Sequence, residues 1–242
     1  MRAILTGHSR GLGAGICGAL LEAGASVLAL SRHGNDGLAA RYGDRLRQIP
    51  IDLRDSHRLA ALTANGEWKT FLAGDESMLL VNNAGALEPI GPVGHQGGDA
   101  IARAIGVNVT AALILSDAFV SATGAAGDRR LLHVSSGAAR AAYAGWSVYC
   151  ASKAALDHHA RALDLDEIPG LRVASVAPGV IDTGMQTLIR SSTSADFPAI
   201  ERFRALHRHG QLQSPDECGR RLVGFLLSPT FGQQVIADIR DL

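Results

Sequence analysis

The chain has 242 residues, 47% of them apolar and 19% charged, which suits one α/β domain with a sizeable core. Its 23 basic and 23 acidic residues cancel to zero formal charge, which argues against a nucleic-acid or membrane surface. Three scattered cysteines, Cys17, Cys150 and Cys218, make neither a disulfide framework nor a metal spacing, and no run approaches the roughly 18 apolar residues of a membrane helix. Glycine arrives too early for a signal peptide, so the expectation is a cytoplasmic protein without membrane partners.

Strand-length apolar runs alternate with helix-length patterns. Ala3-Ile4-Leu5 opens as a strand, and a helix over Leu12 to Ala23 stops at Gly24. Val27 to Leu30 is a second strand. A third spans Arg47 to Leu53, where Pro50 suggests a sheet edge. Met78 to Val81 is a fourth strand, followed by a long helix over about 99–123. Leu131 to Val134 is a fifth, leading to a helix that runs to about Ile168. Arg172 to Val176 and Gln234 to Ile239 complete seven strands. Apolar strands between helices predict a Rossmann-type, doubly wound parallel sheet in a single domain, residues 1–242. The polar stretch 184–214 interrupts the alternation and reads as a lid over the cleft.

Between the first strand and first helix lies Thr6-Gly7-His8-Ser9-Arg10-Gly11-Leu12-Gly13. Its glycines allow a tight turn and let a pyrophosphate approach the helix N-terminus. The second strand ends in Ser31-Arg32, without the carboxylate that would bond the ribose 2′-hydroxyl of NAD. Arg32, helped by Arg10, suits a 2′-phosphate, so NADP(H) is the expected cofactor. In Asn82-Asn83-Ala84-Gly85 the amides can tie strand ends together, and Ala84-Gly85 leaves room for a cofactor. Asp52 stands beside Leu53 at the end of the third strand and is a candidate cap for a helix near Asp55. Pro178-Gly179 breaks the sixth strand ahead of Val180, Ile181 and Thr183. Asp182 is a candidate cap for the segment near Met185.

Chemistry is expected in the second half. Tyr149 and Lys153, four apart, share a helix face. An ammonium beside a phenol favours the phenolate and is expected to pull the tyrosine pKa below about 10. Ser135 and Ser136, after the fifth strand, point to opposite faces, so only one of them can face Tyr149 and Lys153 across a cleft. Tyr143 and Trp146 are expected to line a substrate pocket. Asn108, a poor helix former amid Ile105, Val107 and Val109, is either a satisfied buried amide or a functional group. The nine histidines offer no metal spacing, and no metal is expected.

The glycine pattern TGxxxGxG, NNAG, Asn108, Ser136, the YxxxK of Tyr149 and Lys153, and Pro178-Gly179 occur in order along nearly the whole chain. Together they resemble the short-chain dehydrogenase/reductase family. That resemblance implies a catalytic set of Asn108, Ser136, Tyr149 and Lys153. It implies that Asn108 bends its helix and holds a water linking Lys153 to solvent, and that Asp52 contacts adenine. It further implies that the backbone from Pro178 to Ile181, with Thr183, orients the nicotinamide carboxamide. The turn 88–92 and the run 194–214 look similar to benzil reductase and sepiapterin reductase-like members. The expected function is NADPH-dependent reduction of a small ketone or diketone. Reduction of a 3-oxoacyl carrier protein and a non-enzymatic NADP sensor or scaffold stand as alternatives. Family members pair through the helices near 99–123 and 145–168, so a homodimer or homotetramer is expected.

Overall fold

The computed structural model describes residues 1–74 and 76–242. Seven parallel strands form one sheet in the order β3-β2-β1-β4-β5-β6-β7. They are β1 (Arg2–Thr6), β2 (Ser26–Ser31), β3 (Leu46–Pro50), β4 (Met78–Asn82), β5 (Arg129–Val134), β6 (Leu171–Ala177) and β7 (Ile236–Asp238). Side chains alternate across β1: Ala3 and Leu5 enter one core cluster, while Ile4 enters the other on the opposite face. Both faces are buried, which is why the strands read as unbroken apolar runs. Pro50 ends β3 on the sheet edge, where its missing N–H costs no ladder bond. The third strand stops there, so Asp52 and Leu53 lie beyond it.

Strand order reverses between β1 and β4, and a doubly wound sheet opens a crevice at that point. The covering helices are α1 (Gly11–Glu22), α2 (Asp36–Tyr42), α3 (Ser56–Ala64), α4 (Gly66–Phe71), α5 (Gly98–Ile105), α6 (Ala111–Ala122), α7 (Ser147–Leu165), α8 (Gly184–Ser191), α9 (Ile200–Arg208) and α10 (Pro215–Leu227). The helix carrying Tyr149 thus ends three residues before Ile168, at Leu165. The polar stretch 184–214 is mostly α8 and α9 rather than an irregular loop.

The helical run Gly98–Ala122 is long and apolar enough by composition to cross a membrane, with a mean hydropathy of 1.6. This differs from the sequence expectation. Here Ala104, Ala111, Leu115 and Phe119 pack inward, and Ala111, Leu115 and Phe119 join the core on one face of the sheet. A five-residue π-helical segment, Gly106–Thr110, separates α5 from α6 and contains Asn108. A bulge of this kind is a known way to bend a helix. Two capping expectations also change. Asp55, not Asp52, caps α3, accepting from the Arg58 amide at 2.9 Å. Thr183, not Asp182, stands at the N-cap of α8 and makes no side-chain cap bond.

Helices α1 and α10 cross closely because both carry glycine at the contact. A Cβ on Gly15 would lie 2.3 Å from the Pro215 carbonyl, and one on Gly219 would lie 2.4 Å from Gly15. Gly224, in the same helix as Gly219, has open space around it. Gly219→Ala is therefore expected to destabilise the fold by about 1–3 kcal/mol through overpacking. Gly224→Ala is expected to stabilise it by about 0.5–1 kcal/mol through helix propensity. Thermal melts of the two variants check both signs.

Candidate active site

The turn after β1 is held by side chains from both sides of the crevice. The Thr6 hydroxyl accepts from the Asn83 and Ala84 amides at 3.0 and 2.9 Å. The Asn83 side-chain amide donates to the Thr6 and Gly7 carbonyls at 2.9 and 3.3 Å. Asn82 turns the other way and donates to His133 and Ser116 in the core. The amides of Asn82 and Asn83 thus tie the strand ends together, as the sequence suggested.

Gly7 has φ +75°, and a Cβ there would meet the Ala84 Cα at 3.0 Å; a Cβ on Gly13 would overlap the Gly7 carbonyl. Arg10 precedes α1 in an extended conformation and makes no side-chain cap bond. The first-turn amides of α1 are therefore available to an anion, with the helix dipole favouring one.

Ser31 and His8 shape the next part of the wall. The Ser31 hydroxyl donates to the His33 carbonyl at 2.6 Å and lies 3.1 Å from His8 Nδ1. His8 Nε2 lies 2.6 Å from Gln48 Oε1, and burial pushes this histidine below its ordinary pKa. Arg10 and Arg32 are exposed and line the same cleft. Arg54 Nε donates to both carboxylate oxygens of Asp52 at 2.9 Å, and this pairing holds Asp52 at about 2.

On the far side, β5 delivers Ser135 and Ser136, and α7 delivers Tyr149 and Lys153. Ser135 donates to the buried Asp157 at 2.6 Å, a structural role. The Ser136 hydroxyl accepts from the Ala138 amide at 3.1 Å and lies within hydrogen-bonding reach of Tyr149. Lys153 donates to the Val134 carbonyl at 2.8 Å, with its nitrogen 5.8 Å from the Tyr149 ring centre. A Cβ on Gly85 would come within 3.4 Å of that nitrogen, so the backbone passes close over it.

The sequence expectation for Tyr149 is overturned. Burial raises the phenol above its ordinary pKa, and the Ser136 hydrogen bond only partly offsets this. Lys153 is the group pulled down, to about 8, again by burial, with Asp157 opposing the shift. A low-dielectric site penalises each charged form, and here that penalty exceeds the pairing effect.

Asn108 is 1% exposed. It exchanges two hydrogen bonds with the Ala86 backbone, at 2.7 and 2.8 Å, and donates to Ser152 at 2.9 Å. Ser152 in turn donates to the Tyr149 carbonyl at 2.8 Å. Asn108 is thus a fully bonded buried amide behind the cleft, one link from the Tyr149 backbone.

One cleft of about 1450 Å³ contains all the other predicted positions. The glycine turn, Ser31, Arg32, Asp52, Leu53, Asn83 to Gly85, Ser136, Tyr143, Trp146, Tyr149, Lys153, Pro178 to Ile181 and Thr183 all line it. Sequence reasoning named Tyr143 and Trp146 for the pocket but missed the phenylalanines packed with them. Phe197 stacks on Trp146 at 4.2 Å and 8°, and Phe203 and Tyr143 close around the pair. Both phenylalanines lie in the polar stretch that hid them. It also missed Thr6, Arg54 and Asp157; only Asp157, four residues after Lys153, had a helical-spacing signal.

A doubly wound sheet with a glycine cradle at its crevice and Ser136, Tyr149 and Lys153 facing it is a dinucleotide-binding enzyme architecture. The profile described as short chain dehydrogenase matches residues 1–194, and the chain belongs to that family, whose members are oxidoreductases that use nicotinamide cofactors. It is 38% identical over 248 residues to benzil reductase ((S)-benzoin forming) of Bacillus subtilis, covering 98% of each chain. It is 31% identical over 264 residues to sepiapterin reductase of Rattus norvegicus, covering 99% and 96%. A solved short-chain dehydrogenase/reductase from Burkholderia vietnamiensis shares 46% identity, with a TM-score of 0.72 over 100% of this chain and 97% of that one.

His133 supplies a stability test. It is wholly buried between Asn82 and His159, and burial lowers its pKa to about 3. Unfolded, it titrates near 6.5, so below that pH the unfolded chain binds more protons. Its contribution is present above about 6.5 and is lost as pH falls toward 3. His133→Asn is expected to melt lower at pH 7.5 yet to lose less stability on acidification to pH 5, by up to about 1.4 kcal/mol per pH unit. Parallel pH curves for the two proteins would contradict this.

Proposed function

We propose that this protein is an NADPH-dependent carbonyl reductase acting on small ketones and diketones. The observation that carries the reading is the single cleft in which Ser136, Tyr149 and Lys153 face the glycine cradle and the exposed Arg10 and Arg32. The cradle fits a dinucleotide, because a side chain at Gly7 or Gly13 would fill the space the backbone leaves open. Gly7, Ser9, Gly11, Leu12 and Gly13 would hold the pyrophosphate, with Arg10 and Arg32 on a 2′-phosphate. Asp52 and Leu53 would flank adenine, Asn83 to Gly85 the ribose side, and Pro178 to Ile181 with Thr183 the carboxamide.

When bound, NADPH supplies a hydride to the carbonyl carbon. Ser136 donates a hydrogen bond to the oxygen as negative charge develops there. Tyr149 gives the proton that completes the alcohol. Burial keeps its phenol protonated at neutral pH, which suits it as the acid in the reducing direction. Lys153, held by the Val134 carbonyl, places a cation beside that phenol and would hold the nicotinamide ribose. Asn108 fixes the Tyr149 segment through Ser152.

The wall of Tyr143, Trp146 and Phe203, backed by the buried Phe197, favours an apolar, aromatic carbonyl substrate, in keeping with the names of the benzil reductase relatives. A 3-oxoacyl thioester would use the same polar groups but gains nothing from that wall. A sensor without turnover would have no use for a buried Tyr149 and Lys153. Helices α8 and α9 act as the lid in this reading, and a Cβ on Gly145 would overlap the Asp196 carbonyl, so the lid is seated on the catalytic loop. Exposed Ile101, Leu113 and Leu165 on the two long helical segments suit self-association.

Tyr149→Phe is expected to lower kcat for ketone reduction by about 10²–10⁴-fold, the range for losing a positioned acid. Steady-state NADPH oxidation at the unaltered rate would overturn the assignment. Arg32→Ala is expected to lower kcat/KM for NADPH by about 10–100-fold while leaving NADH within about threefold, as one lost charge-assisted pair implies. An equal fall with both cofactors would remove the basis for NADPH preference.

A further inference from the structure

Asp157 is a buried carboxylate, 2% exposed, that the reduction chemistry does not use directly. It lies on α7, one turn beyond Lys153 and two beyond Tyr149. Oδ1 accepts from Ser135 of β5 at 2.6 Å and from Ser175 of β6 at 2.7 Å. Oδ2 accepts from Arg140 Nε at 3.3 Å. Arg140 also donates to the Ala237 carbonyl of β7 at 2.9 Å. Ser136 therefore sits in a short loop whose two ends, Ser135 and Arg140, are both fastened to one carboxylate. That carboxylate belongs to the helix that carries Tyr149 and Lys153.

We propose that Asp157 is a positioning residue for the reaction. It fastens the loop holding Ser136 to the helix of Tyr149 and places a carboxylate one helical turn from Lys153. This rests on the reading of Ser136, Tyr149 and Lys153 as the catalytic set.

The charged and titratable surroundings make the assignment readable. Lys153 faces Tyr149 and Asp157 on its own helix and His133 on β5. His133 stays neutral above pH 6, since burial holds it near 3. Among the described residues, Asp157 is the carboxylate that raises Lys153 against its burial. On the other side, Asp157 faces the Arg140 cation and two hydroxyls. Replacing Asp157 by asparagine keeps the size and an acceptor for both serines but removes the charge. Lys153 then loses its proton at lower pH. Replacing Arg140 by glutamine does the reverse: the carboxylate remains and its competing cation is gone.

The experiment is the pH profile of kcat at saturating NADPH and a diketone, for the whole protein and the variants Asp157→Asn, Arg140→Gln and Tyr149→Phe. Asp157→Asn is expected to move the alkaline limb down by about one pH unit. Arg140→Gln is expected to move it up, with a lower plateau because the Ser136 loop loses one anchor. An Asp157→Asn profile with an unshifted limb, whether or not kcat falls, would overturn the proposal, since a merely structural role leaves the limb in place. Should Asp157→Asn fail to fold, Arg140→Gln decides: an unshifted or lowered limb overturns the proposal. A Tyr149→Phe variant that still turns over removes the catalytic reading and this inference with it. An inactive Tyr149→Phe with an unshifted Asp157→Asn limb removes this inference alone.

Discussion

The 2.8 Å hydrogen bond from Lys153 to the Val134 carbonyl joins the two halves of this active site. It ties the helix carrying Tyr149 to the end of β5, which leads into Ser135 and Ser136. It also places a buried cation beneath the close pass of Gly85. An ammonium removed from water is costly, which is why Lys153 falls to about 8. The protein answers that cost with an oriented carbonyl, a nearby carboxylate and the dense packing of β4, β5 and α7. Much of the surrounding structure follows from needing that cation where water is scarce.

The crevice itself is a consequence of strand order. Because β1 sits between β2 and β4, the chain reverses direction across the sheet there, and the loops after β1 and β4 splay apart. Thr6 and Asn83 stitch the gap from either side. Glycines at 7 and 13 leave it wide enough for backbone to approach a ligand. Stability and function use the same residues here, so a side chain added at the turn would harm both.

The fold was legible in the sequence to the extent that burial on both faces leaves a plain mark. Seven apolar runs gave seven strands, and Pro50 marked the edge. Leading β7 was harder: only Ile236–Asp238 pair, so the predicted Gln234–Ile239 overstates it. Glycine-to-glycine contact of α1 with α10 left no local signal, because it depends on two positions about 200 residues apart. Motif spacing placed Ser136, Tyr149 and Lys153 in one cleft. It could not tell that Asn108 would lie behind the wall, since a helix face is visible in sequence but its depth is not. The sign of the Tyr149 shift failed for a related reason. Counting charges at helical spacing predicts a lowered pKa, whereas total burial of both partners sets the outcome. Phe197 and Phe203 were hidden because a polar stretch masked two amphipathic turns that aim one aromatic face inward.

The central claim is that the cradle at the amino-terminal turn and the Ser136–Tyr149–Lys153 group act on one carbonyl within one cleft. Deuterium transfer tests it most directly: the protein is supplied with NADPH deuterated at the transferable position of C4 and a diketone, and the alcohol is weighed by mass spectrometry. One deuterium on the new carbinol carbon is the predicted result. An alcohol formed without label from either face of C4, or no alcohol from any ketone offered while the cofactor binds, would contradict the account.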